Sequence, residues 1–207
     1  IEARPQEAGR HVLVRHGPDG RITEVLPPSF SARTRVHEYG GAAATVAGDT
    51  ACFSHFPDQR LYLQSGNGAP QPLTPEGLRY ADGRIDGARR RWIGVREDHR
   101  DPAREAVNTI VLLDLDDAPG PGTVLVQGDD FYAAPRLSPD GRRLAWLAWR
   151  HPHMPWTESQ LWVGDLDGAA VKNARQVAGD AAGGESVFQP EWSPDGVLHF
   201  VSDRSGW

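Results

Sequence analysis

Two stretches of the sequence concentrate side chains that could bind a ligand or take part in chemistry. Residues 35–41 read Arg-Val-His-Glu-Tyr-Gly-Gly and place a cation, an imidazole, a carboxylate and a phenol before a glycine pair. Residues 149–158 read Trp-Arg-His-Pro-His-Met-Pro-Trp-Thr-Glu and form an aromatic-rich insertion. A carboxylate in such a setting suits contact with an amine, and aromatic residues on a loop are typical of binding surfaces. Each stretch also has a structural interpretation, as an ion-paired connection or as a loop packed over a sheet edge.

These stretches supply two predicted contact clusters for a substrate or a neighbouring domain. The residues of the clusters are Arg35, His37 and Glu38 in the first, and Trp149, His151, Met154 and Trp156 in the second. If Glu38 pairs with a peptide amine, removing its charge should raise KM for peptides with a free amine.

Motifs for metals, cofactors and nucleophiles are missing from the sequence. It contains no Gly-x-Ser-x-Gly, His-Glu-x-x-His, P-loop or dinucleotide fingerprint. His151 and His153 with Met154 could bind a soft metal, but no third ligand follows at a useful spacing, which favours a polar loop. Asp165-x-Asp167-Gly begins like a calcium loop without the later ligands, so a hairpin turn is favoured. We expect no cofactor, no metal and no catalytic residue in this chain.

Composition limits the class of protein. The 207 residues are 39% hydrophobic and 24% charged, which supports a folded core. The formal net charge of −6 argues against a nucleic-acid partner, and no apolar run is long enough to cross a membrane. Cys52 is the single cysteine, so no disulfide framework is available, and a cytoplasmic location is expected.

A repeated turn motif indicates the fold. Ser-Pro-Asp-Gly occurs at 138–141 and again at 193–196, each time between apolar runs. Proline presets φ, aspartate bonds its own backbone and glycine accepts a positive φ, so each copy predicts a strand, a tight turn and a strand. Two interleaved families of such turns recur about every fifty residues, which is the range for propeller blades.

The sequence therefore predicts an all-β protein, a β-propeller of four-stranded antiparallel blades. It is present as a partial propeller with about three full blades and two half blades. The expected units are a half blade at 1–28, blades at 29–75, 76–128 and 129–180, and a half blade at 181–207. The two half blades could pair and close a four-bladed ring, but we favour an excerpt of a longer propeller, whose total blade number stays open.

Several motifs together resemble the non-catalytic propeller of the prolyl oligopeptidase family of serine peptidases, closest to its acylaminoacyl-peptidase and dipeptidyl-aminopeptidase-like branch. They are the heptapeptide at 35–41, Asp-Phe-Tyr at 130–132 with the turn at 135–141, the loop at 149–156, Phe-Gln-Pro-Glu-Trp-Ser-Pro-Asp-Gly at 188–196 and Ser-Asp-Arg-Ser-Gly-Trp at 202–207. The resemblance spans nearly the whole chain. Its most specific parts are His-Glu-Tyr-Gly-Gly and His-Pro-x-Met-Pro-Trp, since other propellers carry the Ser-Pro-Asp-Gly turn.

The resemblance implies an α/β-hydrolase domain in the full protein, with a Ser-Asp-His triad that hydrolyses short peptides and releases acylamino acids or dipeptides. This chain is expected to stop before that domain and to gate and select substrates for it. The alternative is a free-standing TolB-like binding propeller without enzymatic activity. A metal-dependent propeller hydrolase, such as a lactonase, is a third and weaker interpretation.

Overall fold

A computed structural model describes residues 1–179 and 184–206, and the chain is all-β, as the sequence predicts. The described residues form eighteen strands and one short 3-10 turn at Pro5–Glu7. The strands are β1 (Glu2–Arg4), β2 (Arg10–Val12), β3 (Val14–His16), β4 (Ile22–Glu24), β5 (Ala44–Ala47), β6 (Thr50–Ser54), β7 (Leu61–Ser65), β8 (Gln71–Pro72), β9 (Leu78–Asp86), β10 (Arg91–Asp98), β11 (Val107–Asp114), β12 (Thr123–Val126), β13 (Phe131–Leu137), β14 (Arg143–Trp149), β15 (Gln160–Asp167), β16 (Ala170–Ala178), β17 (Val187–Trp192) and β18 (Leu198–Ser202).

Three complete antiparallel sheets of four strands follow one another along the chain. Blade 1 is β5–β8, blade 2 is β9–β12 and blade 3 is β13–β16, and within each blade every strand pairs with the next one in sequence. This meander is the unit of a β-propeller. The predicted fold class, a partial propeller with three full blades between incomplete ones, is confirmed.

Incomplete sheets flank the three blades. At the start, β1 pairs with β2 and β3 with β4, and the N–H of Val25 extends the second ladder by donating to the carbonyl of Leu13. At the end, β17 pairs with β18. Within the described residues these end sheets share no strand pairing, so the closed four-bladed ring is not what forms. Residues 180–183, where the third blade was predicted to end, and Trp207 lie outside the described residues.

Apolar clusters fill the spaces between neighbouring sheets. Blades 2 and 3 enclose Ile93, Ile110, Tyr132 and Leu144, all with no exposed surface. Similar clusters lie between blades 1 and 2, between blade 3 and the last sheet, and between the first sheets and blade 1. Because each of the three blades lies between two other sheets, its central strands are apolar on both faces, as in β14, where every residue after Arg143 is buried.

The first strand of each later sheet carries a matched irregularity. Asp82 in β9, Ala134 in β13 and Gln189 in β17 have φ values of 55°, 49° and 51°, and the strand register shifts at each of these places. These are β-bulges, which bend a strand and redirect its side chains. The three bulged strands are the innermost of their blades, since they contact one another from sheet to sheet.

Antiparallel strands give the propeller two different faces. The hairpin face carries the turns between the two inner strands of each sheet, at 48–49, 87–90, 138–142 and 193–197. It also carries the turns between the two outer strands of each blade, at 66–70, 115–122 and 168–169. The loop face carries the connections at 25–43, 55–60, 99–106 and 150–159. Both stretches that the sequence singles out therefore lie on the loop face. No helix within the described part of the chain is long and apolar enough to cross a membrane.

Candidate functional site

A strained turn lies on the loop face, against blades 2 and 3. His37 and Glu38 are consecutive residues with φ of 56° and 62°, in the left-handed region that side chains with a Cβ rarely adopt. The N–H of Gly40 closes the turn on the carbonyl of Val36 at 2.8 Å. A left-handed residue other than glycine costs about 1–2 kcal/mol, and such strain is concentrated at functional sites.

Two charged side chains from blade 2 hold this turn. The carboxylate of Glu97, with only 4% of its side chain exposed, accepts the N–H of His37 at 2.6 Å. Arg79 donates to the Glu38 carboxylate at 2.6 Å and to the carbonyl of Arg35 at 3.0 Å. The turn is therefore fixed by contacts to residues more than forty positions away in the sequence, which explains how its strain is tolerated.

The two acidic groups differ in what they can contact. Glu38 is 76% exposed, and its hydrogen bond from Arg79 lowers the pKa of the carboxyl, so the charged carboxylate faces solvent. Glu97 lies beneath it, with its second oxygen 2.9 Å from Nε2 of His99. Burial lowers the pKa of His37, although the nearby charges of Glu97 and Asp82 oppose that shift. A neutral imidazole thus lies beside an exposed negative charge.

Aromatic rings join the two predicted clusters into one. The imidazole of His37 packs edge-on against Trp149, with ring centroids 5.1 Å apart, and Tyr39 lies 5.4 Å from it. Trp149 stacks on Phe131 with ring centroids 5.4 Å apart, and His151 packs edge-on against Phe131 at 4.9 Å. The two sequence stretches, more than one hundred residues apart, therefore build one aromatic layer.

A cleft of about 870 Å³, called here the acidic cleft, opens between blades 2 and 3 beside this layer. Five carboxylates line it, against one arginine and three histidines: Glu38, Glu97, Glu105, Asp129, Asp130, Arg104, His37, His99 and His151. Asp129 is engaged by Arg150 at 2.5 Å, and Asp130 accepts the N–H of His151 at 2.9 Å. The excess of negative charge favours a cationic or amine-bearing ligand.

A second cleft, of about 770 Å³, lies between blade 3 and the last sheet and is called here the aromatic cleft. It shares His37, Tyr39 and Trp149 with the acidic cleft. Its walls include Trp156 and Tyr39, which are 63% and 58% exposed, and also Phe188 and Val201. Large apolar side chains exposed together in one concavity are typical of a binding surface.

The predicted site residues do not all face the clefts. His37, Glu38, Trp149, His151 and Met154 line the acidic cleft, and Trp156 lines the aromatic one. Arg35 does not pair with Glu38, because its guanidinium lies 4.7 Å from the ring centroid of Phe56. Only its backbone carbonyl takes part in the turn. That these residues contact a substrate or a domain stays a prediction.

Sequence reasoning missed Arg79, Glu97 and Phe131, which hold the turn and the aromatic layer. Arg79 and Glu97 belong to no local motif, and Phe131 lies in the Asp-Phe-Tyr motif at 130–132 without having been predicted as a contact residue. The role of all three depends on how blades 2 and 3 meet the connection at 25–43. Among the described residues, no group of three or more histidine, cysteine, aspartate or glutamate side chains could hold a metal ion. His153 instead lies 3.4 Å from the carboxylate of Glu158.

Comparison with solved structures places this arrangement among known propellers. A crystal structure of puromycin hydrolase matches all of this chain with 33% identity and a TM-score of 0.91. A puromycin-hydrolyzing peptidase of Mycobacterium tuberculosis matches it with 34% identity and a TM-score of 0.87. The chain spans 34% of the length of each. These neighbours are peptidases of the prolyl oligopeptidase family, and the part they share with this chain is their propeller. The resemblance predicted from the sequence is thereby confirmed.

Comparison of the sequence alone matches a smaller part of the chain than the comparison of structures does. No family model matches the chain. Lipoprotein LpqB of Mycolicibacterium paratuberculosis is 36% identical over 83 residues, which is 40% of this chain and 12% of the lipoprotein.

Proposed function

We propose that this chain is the substrate-selecting propeller of a serine peptidase of the prolyl oligopeptidase family that hydrolyses short peptides. The observation that carries the proposal is the match over the full chain, at 33–34% identity, to the propeller portion of puromycin-hydrolyzing peptidases. In this proposal a hydrolase domain of the same protein supplies the Ser-Asp-His chemistry, and the loop face is turned toward it.

The acidic cleft would recognise the free amine of the substrate. Glu38 offers a charged, exposed carboxylate whose position is fixed by Arg79 rather than by a flexible loop. A fixed charge loses little entropy when a ligand binds, so the contact orients the substrate as well as attracting it. The further carboxylates of the cleft would raise the local concentration of cationic peptides.

The aromatic layer would bind the side chain next to the substrate's free amine. Tyr39 and Trp149 border both clefts, so an amine near Glu38 leaves the attached side chain within reach of the aromatic cleft. Aromatic walls bind planar and apolar groups through their area and their ring faces. We therefore infer preference for a short peptide, or a peptide-like amide such as puromycin, with a free amine and a large apolar side chain.

The test uses the full-length protein in three assays: covalent labelling by a fluorophosphonate, hydrolysis of puromycin, and hydrolysis of matched peptides with free or acetylated amino termini. Labelling and faster hydrolysis of the free amines are expected. Labelling with faster hydrolysis of the acetylated peptides would assign acylaminoacyl-peptidase activity and overturn the amine contact. A protein that is neither labelled nor active would be a binding propeller, and the proposed function would fall.

Glu38→Gln tests the contact itself. Loss of one charge-assisted contact is expected to raise KM for free-amine peptides by about tenfold, with little change in KM for acetylated peptides. Asp49→Asn is the matched control, because Asp49 is an exposed carboxylate that pairs with Arg15 on the hairpin face. An unchanged KM in Glu38→Gln would remove Glu38 from substrate recognition.

A further inference from the structure

A second charged concavity lies on the hairpin face, far from the clefts described above. It has a volume of about 630 Å³ and is formed by the ends of β9 and β13 with Glu191 of β17. Glu191 accepts hydrogen bonds through one oxygen from Arg136 at 2.6 Å and from Arg84 at 3.2 Å. Three successive innermost strands thus contribute to one ionic cluster.

This cluster must lie close to the propeller axis. Arg84 belongs to blade 2 and Glu191 to the last sheet, and blade 3 stands between them. Sheets that are not neighbours can touch only where all of them converge, at their inner edges. The concavity is therefore at the axial end of the hairpin face, opposite the loop face.

The acidic and basic side chains of the concavity are not paired one to one. Asp86 is engaged by Arg89 and Arg91, each at 3.0 Å, and Asp140 by the hydroxyl of Ser138 and the N–H of Arg142. Arg84 and Arg136 both form their ion pair with the one carboxylate of Glu191. Two guanidinium groups therefore share one negative charge.

Arg136 is the more constrained of the two. Its side chain is only 15% exposed, and burial together with the neighbouring charge of Arg84 lowers its pKa. Its Nε donates to Glu191 and its Nη1 to the carbonyl of Pro135 at 3.0 Å, whereas Nη2 takes part in no hydrogen bond within the described residues. The Glu191 side chain is 60% exposed and accepts the bonds from Arg136 and Arg84 through one oxygen only. Its carboxylate can therefore move away from the two arginines at a small cost in free energy.

We propose that Arg136 and Arg84 form a binding site for the terminal carboxylate of a short peptide, with Glu191 as the side chain that occupies the site when no ligand is bound. A guanidinium group binds a carboxylate through two parallel hydrogen bonds, and two guanidinium groups side by side offer more such donors than the single Glu191 oxygen uses. The choice of a peptide carboxylate rests on the proposed function, and the site would hold substrates or products that reach it from the hairpin face.

The test compares an acetylated dipeptide acid, acetyl-Gly-Gly, with its carboxamide, because acetylation removes the amine that the acidic cleft would bind. Calorimetric titration of the full-length protein is expected to show the acid binding at least tenfold more tightly than the amide. Arg136→Gln should abolish that difference, and Glu191→Gln should make the acid bind more tightly. Arg90→Gln is the matched control, since Arg90 is an exposed arginine paired with Asp116.

Several results would overturn the proposal. Equal binding of acid and amide would do so, and so would weaker binding of the acid to Glu191→Gln, because a purely structural ion pair loses order when Glu191 is changed. Inorganic phosphate binding more tightly than the peptide acid would make this a general anion site. Peptidase activity is measured separately on free-amine peptides, so failure of this proposal can be distinguished from failure of the proposed function.

Discussion

Replacing Asp82 with alanine should lower the melting temperature of the propeller by about 8–16 °C. The carboxylate of Asp82 accepts the N–H of Ala42 at 2.7 Å and the N–H of Ala134 at 3.0 Å. The N–H of Asp82 in turn donates to the carbonyl of Ala42 at 2.9 Å. One side chain therefore ties the inner strand of blade 2 to the chain before blade 1 and to blade 3.

The magnitude follows from two contributions. A hydrogen bond to a charged group contributes about 1.5–3 kcal/mol, and we take the lower value for each bond because both are partly open to solvent. Alanine at the left-handed φ of 55° adds about 1 kcal/mol, which gives about 4 kcal/mol in total. For a domain of this size, 1 kcal/mol lowers the melting temperature by about 2–4 °C. Asp82→Asn keeps one acceptor and tolerates this φ, so it should lose only about 3–6 °C.

Thermal unfolding of the full-length protein, followed at the transition that includes the propeller, measures both variants. Asp49→Ala is the control, since its exposed ion pair with Arg15 contributes at most about 1 kcal/mol. The reasoning is refuted if Asp82→Ala melts within the range of Asp49→Ala. It is refuted as well if Asp82→Asn is the less stable of the two Asp82 variants.

Two further outcomes are expected from the packing and the protonation of the fold. Gly83→Ala should destabilise the protein by at least about 1–3 kcal/mol in chemical unfolding, because its Cβ would lie 1.9 Å from Nε1 of the buried Trp92. Gly87→Ala, with no atom within 4 Å of the new Cβ, should change stability by less than about 0.5 kcal/mol, and equal effects would contradict the packing argument. Burial lowers the pKa of His37, so its contribution to stability is present above pH 6.5 and is lost as pH falls toward the folded value. His37→Asn, which cannot titrate and tolerates the left-handed turn, should therefore lose less stability between pH 6.5 and 5 than the parent protein.

The sequence predicted those features whose cause is local. Pro139, Asp140 and Gly141 specify a turn by their own backbone preferences, and Gly141 has the positive φ of 67° that such a turn requires. The apolar character of β14 on both faces also follows from its residues alone, and it correctly indicated sheets stacked on each other. Repetition of these signals was enough to predict blades.

Features that depend on the meeting of distant strands could not be predicted in this way. Glu38 was singled out by its motif, but its partner Arg79 and the buried Glu97 become relevant only when blade 2 packs beside the connection at 25–43. The position of the Arg35 side chain could not be predicted for the same reason, since its guanidinium lies 4.7 Å from the ring centroid of Phe56. No periodicity marks the bulge at Asp82.

The two faces build their candidate binding sites from different elements, and this difference has a geometric cause. On the hairpin face the innermost hairpins must turn within a few residues to keep the inner strands together, which leaves little freedom for added side chains. On the loop face the connections at 99–106 and 150–159 link strands farther from the axis, where the sheets diverge and longer segments fit. Those segments carry the acidic and aromatic clefts. Charged groups that reach the axis from the hairpin face must instead come from the strands themselves, as Arg84, Arg136 and Glu191 do. A ligand carboxylate bound on the hairpin face would accordingly contact strand residues. An amine bound on the loop face would contact residues of the connecting loops.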